Sequence, residues 1–213
     1  MNTTRQQRHE KLLREAKKAF EKHEIRSRSE GRWLLQERQL DGYWTWIMAE
    51  IIALAKGQLY VGGDIDFTIF AYYSDRADPE SRVRWMGRCN DVGYYVAEKA
   101  RIGLGTELTD VFDSQIAEQD IQGWLDEAEK EYLGHKDTVV LRRLVDDWKD
   151  DGFPEEEHEL THALWDSGLS SDFFGELSVG PGKVLAPRVY YAHAALARLC
   201  DLLDHETRSQ DDG

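Results

Sequence analysis

Cysteine is almost absent from this chain: Cys89 and Cys200 are the only two among 213 residues. Two thiols so far apart suggest neither a disulfide framework nor a thiolate metal site, and the expected compartment is a reducing, cytoplasmic one. Long apolar runs are missing too. No stretch approaches the ~20 residues that a membrane-spanning helix needs, so no membrane partner is expected. The start, Met1-Asn2-Thr3-Thr4-Arg5, leads into charged sequence rather than the apolar core of a signal peptide. Internal repeats and low-complexity tracts are lacking as well. Positive charge is also scarce: 27 Lys and Arg stand against 41 Asp and Glu, a formal net charge of −14. A field of that sign repels nucleic-acid and membrane phosphates and attracts basic surfaces.

Apolar and charged residues are present in quantity, at 41% and 32% of the chain, which suits a globular protein and argues against general disorder. The length suffices for one well-buried domain, or one domain with an appendage. The charge is unevenly spread: residues 1–38 hold 11 bases and 6 acids, whereas residues 105–176 hold 21 acids and 5 bases. Within the acidic stretch, Asp126, Glu127, Asp146, Asp147, Asp150, Asp151, Glu155 and Glu156 are the side chains expected on the surface. Trp124, Trp148 and Trp165 lie in or beside these runs and are candidate anchors, because tryptophan is enriched at interface cores. The plain reading of the acids is solubility. The sharper one is a surface that occupies a basic groove otherwise holding nucleic acid.

The patterning predicts an α+β fold, mostly helical, with a small three-stranded antiparallel meander at about 58–89 and a helical, acidic C-terminal half. Residues 5–25 read as a basic amphipathic helix with an apolar stripe of Leu12, Leu13, Ala16 and Phe20. Residues 26–31 break it as a hinge, which makes 1–30 an arm on a single domain of 31–206 with a frayed tail at 207–213. Such an arm could contact nucleic acid, fold back on the protein's own acidic face, or be simply solvated. Residues 32–56 read as a second helix, with Trp33, Leu40, Trp44, Ile47, Ile51 and Leu54 at three- and four-residue intervals. Glu50 lies near its apolar side, either catalytic with a raised pKa or paired structurally. A hairpin follows, with strands at 58–61 and 64–73 turning at Gly62-Gly63, and then a strand at 82–89. A helix is expected at 92–102, where Gly93-Tyr94-Tyr95-Val96 also fits a strand, with further helices at 107–133 (whole or broken near Gly123), 137–150 and 154–166, a loop at 175–186, and a last helix from Pro187. Val189, Ala192, Leu196, Leu199 and Leu203 on that helix fit a core face or a homo-oligomer seam.

Three motifs bear on chemistry. Asp64 and Asp66 share a strand face behind Gly62-Gly63, similar to the magnesium carboxylates of nucleotidyltransferases, although there the glycines lie well upstream of the acids. Gly180-Pro181-Gly182-Lys183-Val184 lacks the spacer and the hydroxyl of a phosphate-binding loop and reads as loop. His158-Glu159-Leu160-Thr161-His162 places two imidazoles one helical turn apart with a carboxylate between them. This segment resembles the zinc helix of thermolysin-like metallopeptidases, and the likeness extends to Asp166 and to Ser171-Asp172-Phe173-Phe174-Gly175. The resemblance implies His158 and His162 as zinc ligands, Glu159 as general base, and Asp166 and Asp172 as orienters. The chain departs from that family at Gly168, where the third ligand would stand, and in the acidic approach Glu155-Glu156-Glu157.

The leading expectation is a non-enzymatic, cofactor-free interaction protein docking on a basic protein or nucleoprotein complex as inhibitor or regulator. The alternatives are a zinc-dependent, peptidase-like hydrolase and a nucleic-acid binder acting through residues 5–25.

Overall fold

Alternation rather than helical periodicity governs residues 23–71. The computed structural model describes residues 4–39, 44–54, 57–71, 78–131, 136–170 and 180–211, and the chain is α+β. After helix α1 (Arg5–Phe20), five strands form one antiparallel sheet in chain order: β1 (His23–Ser29), β2 (Arg32–Arg38), β3 (Trp44–Leu54), β4 (Gln58–Gly63) and β5 (Thr68–Ala71). Strand β1 and the turn after it replace the expected hinge, and β2 and β3 replace the helix expected at 32–56. The reason is period two: Trp33 and Leu35 on β2, and Ala49 and Ile51 on β3, are buried on one face. Leu34 and Ile52 on the other face are half-buried. Apolar residues on both faces fill in the alternation and imitate a helical pattern. Leu40, counted in that pattern, lies outside the described residues.

The sheet also moves the expected turn. Gly62 and Gly63 belong to β4 and pair with Glu50 and Ala49 of β3. A Cβ on Gly63, which adopts φ +111°, would come within 2.5 Å of the Met48 carbonyl oxygen, so close strand approach excludes a side chain there. The turn falls at residues 64–67, with Asp66 at φ +68°. Tyr72 and Tyr73 lie outside the described residues. The expected strand at 82–89 is instead helix α2 (Pro79–Gly87). Its start follows from Asp78-Pro79-Glu80: the Asp78 carboxylate accepts from the Ser81 amide at 2.7 Å, proline fills the first turn, and Glu80 favours the helix dipole. A π-helical turn (Val92–Val96) runs into α3 (Ala97–Leu104), near the expected helix at 92–102. Short α4 (Thr106–Thr109) precedes β6 (Asp110–Phe112), which pairs with β7 (Lys183–Leu185). Helices α5 (Ser114–Glu131), α6 (Lys136–Asp151) and α7 (Glu157–Asp166) follow, and α8 (Pro187–Asp211) closes the chain. Residues 207–211 are therefore helix in place of the frayed tail.

The chain divides into two compact units, Met1–Arg8 with Asp110–Val184, and His9–Thr109 with Leu185–Gly213. The expected boundaries at 30 and 206 coincide with neither. In the larger unit the inner sheet face, with Trp33, Leu35, Ile51, Leu59, Val61 and Phe70, shares a core with α1, α2, α3 and α8. Phe20 and Ala16 from the α1 stripe are buried in it, and Leu12 and Leu13 pack against it. Val189, Ala192, Leu196, Leu199 and Leu203 of α8 are buried in this core, so the core-face reading of that pattern holds. Glu50 is half-buried on β3 and takes the Arg32 Nε at 2.7 Å, a structural pair.

Helix α2 lies hard against α8: a Cβ on Gly87 would meet the Leu196 carbonyl oxygen at 2.6 Å. Gly87→Val is therefore expected to destabilise the larger unit by about 1–3 kcal/mol through overpacking, measured as a lowered urea midpoint. Beside this crossing, buried His193 donates Nε2–H to the Met86 carbonyl at 3.2 Å. Burial holds its pKa below the usual imidazole value, with Lys17 adding to the effect and the Met86 and Cys89 carbonyls opposing it. The unfolded chain thus protonates His193 first, and its contribution is complete above the unfolded pKa and lost as pH falls toward the folded one. Unfolding free energy is expected to fall as pH drops below the ordinary imidazole value of about 6.5, by at most ~1.4 kcal/mol per pH unit from this group. His193→Gln should flatten that slope in a pH series of melting curves.

Candidate functional site: the acidic helical unit

In the smaller unit, apolar residues at helical spacing decide where the acids point. Ala117, Ile121 and Leu125 of α5, Leu141 and Val145 of α6, and Leu160 and Leu164 of α7 are buried together. The opposite faces are left to charge. All eight acids expected on the surface, Asp126, Glu127, Asp146, Asp147, Asp150, Asp151, Glu155 and Glu156, are exposed. Residues of this unit comprise 20 acids and 8 bases, so −12 of the protein's −14 resides here and −2 in the larger unit. Some acids are paired locally: Lys149 holds Asp146 at 2.7 Å, Arg143 lies 3.9 Å from Asp147, and Gln122 donates to Asp126 at 2.8 Å. Glu127, Asp150 and Asp151 have no basic partner among the described residues.

The three tryptophans separate. Trp124 and Trp148 are half-buried against the unit's core, Trp148 with its ring 5.1 Å from that of Phe153. Trp165 is 66% exposed. It lines a cavity of about 170 Å³ with Leu160, Leu164, Pro181, Thr161 and Glu157. Glu157 is bonded by Lys183 at 2.6 Å.

His158 and His162 lie exposed one turn apart on α7. Glu159 between them is the N3 residue of a capping box: the Glu156 amide donates to its carboxylate at 3.3 Å, while the Glu156 side chain takes the Glu159 amide. Asp166 is exposed at the helix end, and Asp172 with Ser171 lies outside the described residues. Gly168, in the place of the family's third ligand, adopts φ +84° just past the helix terminus, a conformation that suits glycine. Among the described residues no three His, Cys, Asp or Glu side chains come together as a metal site. The other acid pair is also engaged: Asp64 accepts from the Met48 amide at 2.9 Å, and Asp66 lies 3.3 Å from Arg188.

Several structural carboxylates escape a reading by charge alone. Asp113 caps α5 by accepting from the Ile116 amide at 3.1 Å and also binds Arg8. Asp120 takes Arg5 at 2.7 Å and the Gly182 amide at 2.9 Å. Of the basic arm, Arg5 and Arg8 thus fold back on the protein's own acids. Asp113 before an apolar-periodic segment is a legible cap signal, whereas the arginine contacts join distant parts of the chain. Buried Asp137 accepts from the Ser170 amide at 2.9 Å and its hydroxyl at 2.7 Å, tying α6 to the segment after α7.

No protein-family model matches this chain, and no curated protein or solved structure matches it. The fold class and the sign of the exposed charge therefore carry the functional reading. No described helix is long and apolar enough to cross a membrane.

Asp137→Ala removes the acceptor of both Ser170 bonds. A loss of about 2–3 kcal/mol is expected from removing hydrogen bonds to a charged acceptor, read from denaturant unfolding followed in the smaller unit.

Proposed function

We propose that this chain is a non-enzymatic interaction protein whose acidic helical unit docks on a basic partner. The partner is a nucleic-acid-binding protein or nucleoprotein complex that the chain inhibits or regulates by occupying its basic surface, in the cytoplasm and without a cofactor. The observation that carries this reading is the partition of charge, −12 on the helical unit and −2 on the rest. Solubility alone would be served by acids spread over both units. Concentrated on one helical unit that also exposes Trp165, they supply long-range attraction for a cationic surface and an apolar contact beside it. The same field repels nucleic acid, and Arg5 and Arg8 of the basic helix are occupied by Asp120 and Asp113. The hydrolase reading is supported by the i, i+4 histidine spacing and the sequence likeness around it, while Glu159 is engaged at the helix start.

The test is capture of cellular proteins on the immobilised chain, beside Glu127→Lys/Asp150→Lys/Glu155→Lys. The wild type is expected to retain basic nucleic-acid-binding proteins and to release them as salt rises from about 0.05 to 0.5 M, where screening shortens the field from over 10 Å to a few ångströms. The triple variant is expected to lose them while keeping its circular dichroism. Retention unaffected by salt or by the charge reversal would overturn the proposal.

A further inference from the structure

The larger unit contains a second concave surface, of opposite character to the acidic helices. Helix α2 presents Ser81, Arg84, Trp85 and Arg88 at three- and four-residue spacing, Cys89 follows at its end, and Tyr95 faces them from the π-helical turn. Together they line a cavity of about 520 Å³, inside the ~300–1,000 Å³ of small-molecule sites. Among the described residues its wall holds two guanidinium groups and no carboxylate.

We propose that this cavity binds a small aromatic anion, a planar ring carrying a phosphate, of the size of a nucleoside monophosphate. The phosphate lies against Arg88, and the ring against Trp85 and Tyr95. The guanidinium groups are held from outside the lining: Asp204 of α8 takes Arg84 at 3.1 Å and Arg88 at 2.6 Å. Arg84 is further engaged by Glu80, by the Leu203 carbonyl and by the Thr207 hydroxyl, so it is a fixed part of the wall, whereas Arg88 is oriented without being saturated. Arg88, 61% exposed in its side chain, gives a single nitrogen to Asp204. The planar fork of arginine suits an oxyanion with several acceptor oxygens.

The aromatic half is equally built. Trp85 and Tyr95 meet edge to face with centroids 5.5 Å apart, and the Lys99 ammonium lies 4.9 Å from the Tyr95 ring centre. Tyr95 owes its position to the π-helical turn, whose start is capped by Asp91 accepting from the Tyr94 amide at 3.1 Å. Buried Val92 and Val96 anchor the turn and leave Tyr95 half-exposed between them. Single π-helical turns recur where a side chain is aimed at a ligand. This inference is independent of docking by the acidic unit.

Cys89 supplies the readout, because it is half-buried in the cavity wall while Cys200, the other thiol, is buried. Adenosine monophosphate, adenosine, inorganic phosphate and benzoate are titrated against the full chain by calorimetry, with Cys89 alkylation rates measured in parallel. Adenosine monophosphate is expected to bind with a Kd on the order of 0.1–1 mM and to slow alkylation. Adenosine and phosphate alone should each bind at least about tenfold more weakly, since each lacks half of the recognition. Benzoate, with a carboxylate in place of the phosphate, should fall between them. Arg88→Gln and Trp85→Phe, checked for an unchanged circular dichroism spectrum, should each weaken adenosine monophosphate roughly tenfold. The proposal is overturned if adenosine monophosphate shows no saturable binding, if adenosine or phosphate alone binds as tightly, or if Arg88→Gln leaves its affinity unchanged.

Discussion

The close crossing of α2 on α8 at Gly87 constrains most of the larger unit. With a 2.6 Å approach to the Leu196 carbonyl for any added Cβ, the two helices are held at a separation that one methyl group would change. That separation brings the Met86 carbonyl over His193 and Arg84 and Arg88 onto Asp204. It also puts α8 where Val189, Ala195, Leu196 and Leu199 fill the space over the sheet. The polar contacts around α2 are consequences of this fit rather than its cause: exposed ion pairs such as that of Arg88 contribute little to stability, whereas a packed helix crossing contributes through every buried contact.

The smaller unit rests on the complementary strategy. Its core is short and built from single faces of α5, α6 and α7, so its polar carboxylates take on structural roles. Asp113, Asp120 and Asp137 each accept two or more bonds within the unit, and Glu129 of α5 takes Arg142 of α6 at 2.9 Å, while other acids on the same helices face outward. The acidity of the segment thus has two components, one that builds the unit and one that faces outward. Residues such as Glu127, Asp150 and Glu155 belong to the second.

How much of this was legible in the sequence depended on how local the determining signal was. Helices α6, α7 and α8 were expected within a few residues of where they lie, because their apolar positions recur at helical intervals and Pro187 marks a start. Strands β2 and β3 were not, because both of their faces are partly covered and the period of two is masked by Leu34 and Ile52. The hairpin dipeptide Asp41-Gly42 stood between them as the contrary signal. Asp78-Pro79-Glu80 was the equivalent signal for α2. At the candidate site, the outward acids and Trp165 could be read from the sequence because exposure follows from helical position. The Arg5 and Arg8 contacts, the inward turn of Trp124 and Trp148, and the arginine-lined cavity join residues distant in sequence, and no local pattern encodes them.

The capping box at the start of α7 complicates any attempt to diagnose the histidine motif by mutagenesis. Glu159 holds the Glu156 amide, so Glu159→Ala removes an N-terminal brace as well as a carboxylate, and an impaired protein would look like one deprived of its general base. Glutamine serves at N3 nearly as well as glutamate but does not accept a proton as a base. The informative contrast at this position is thus between alanine and glutamine. A motif that spells catalysis in five letters is here also the grammar of a helix beginning.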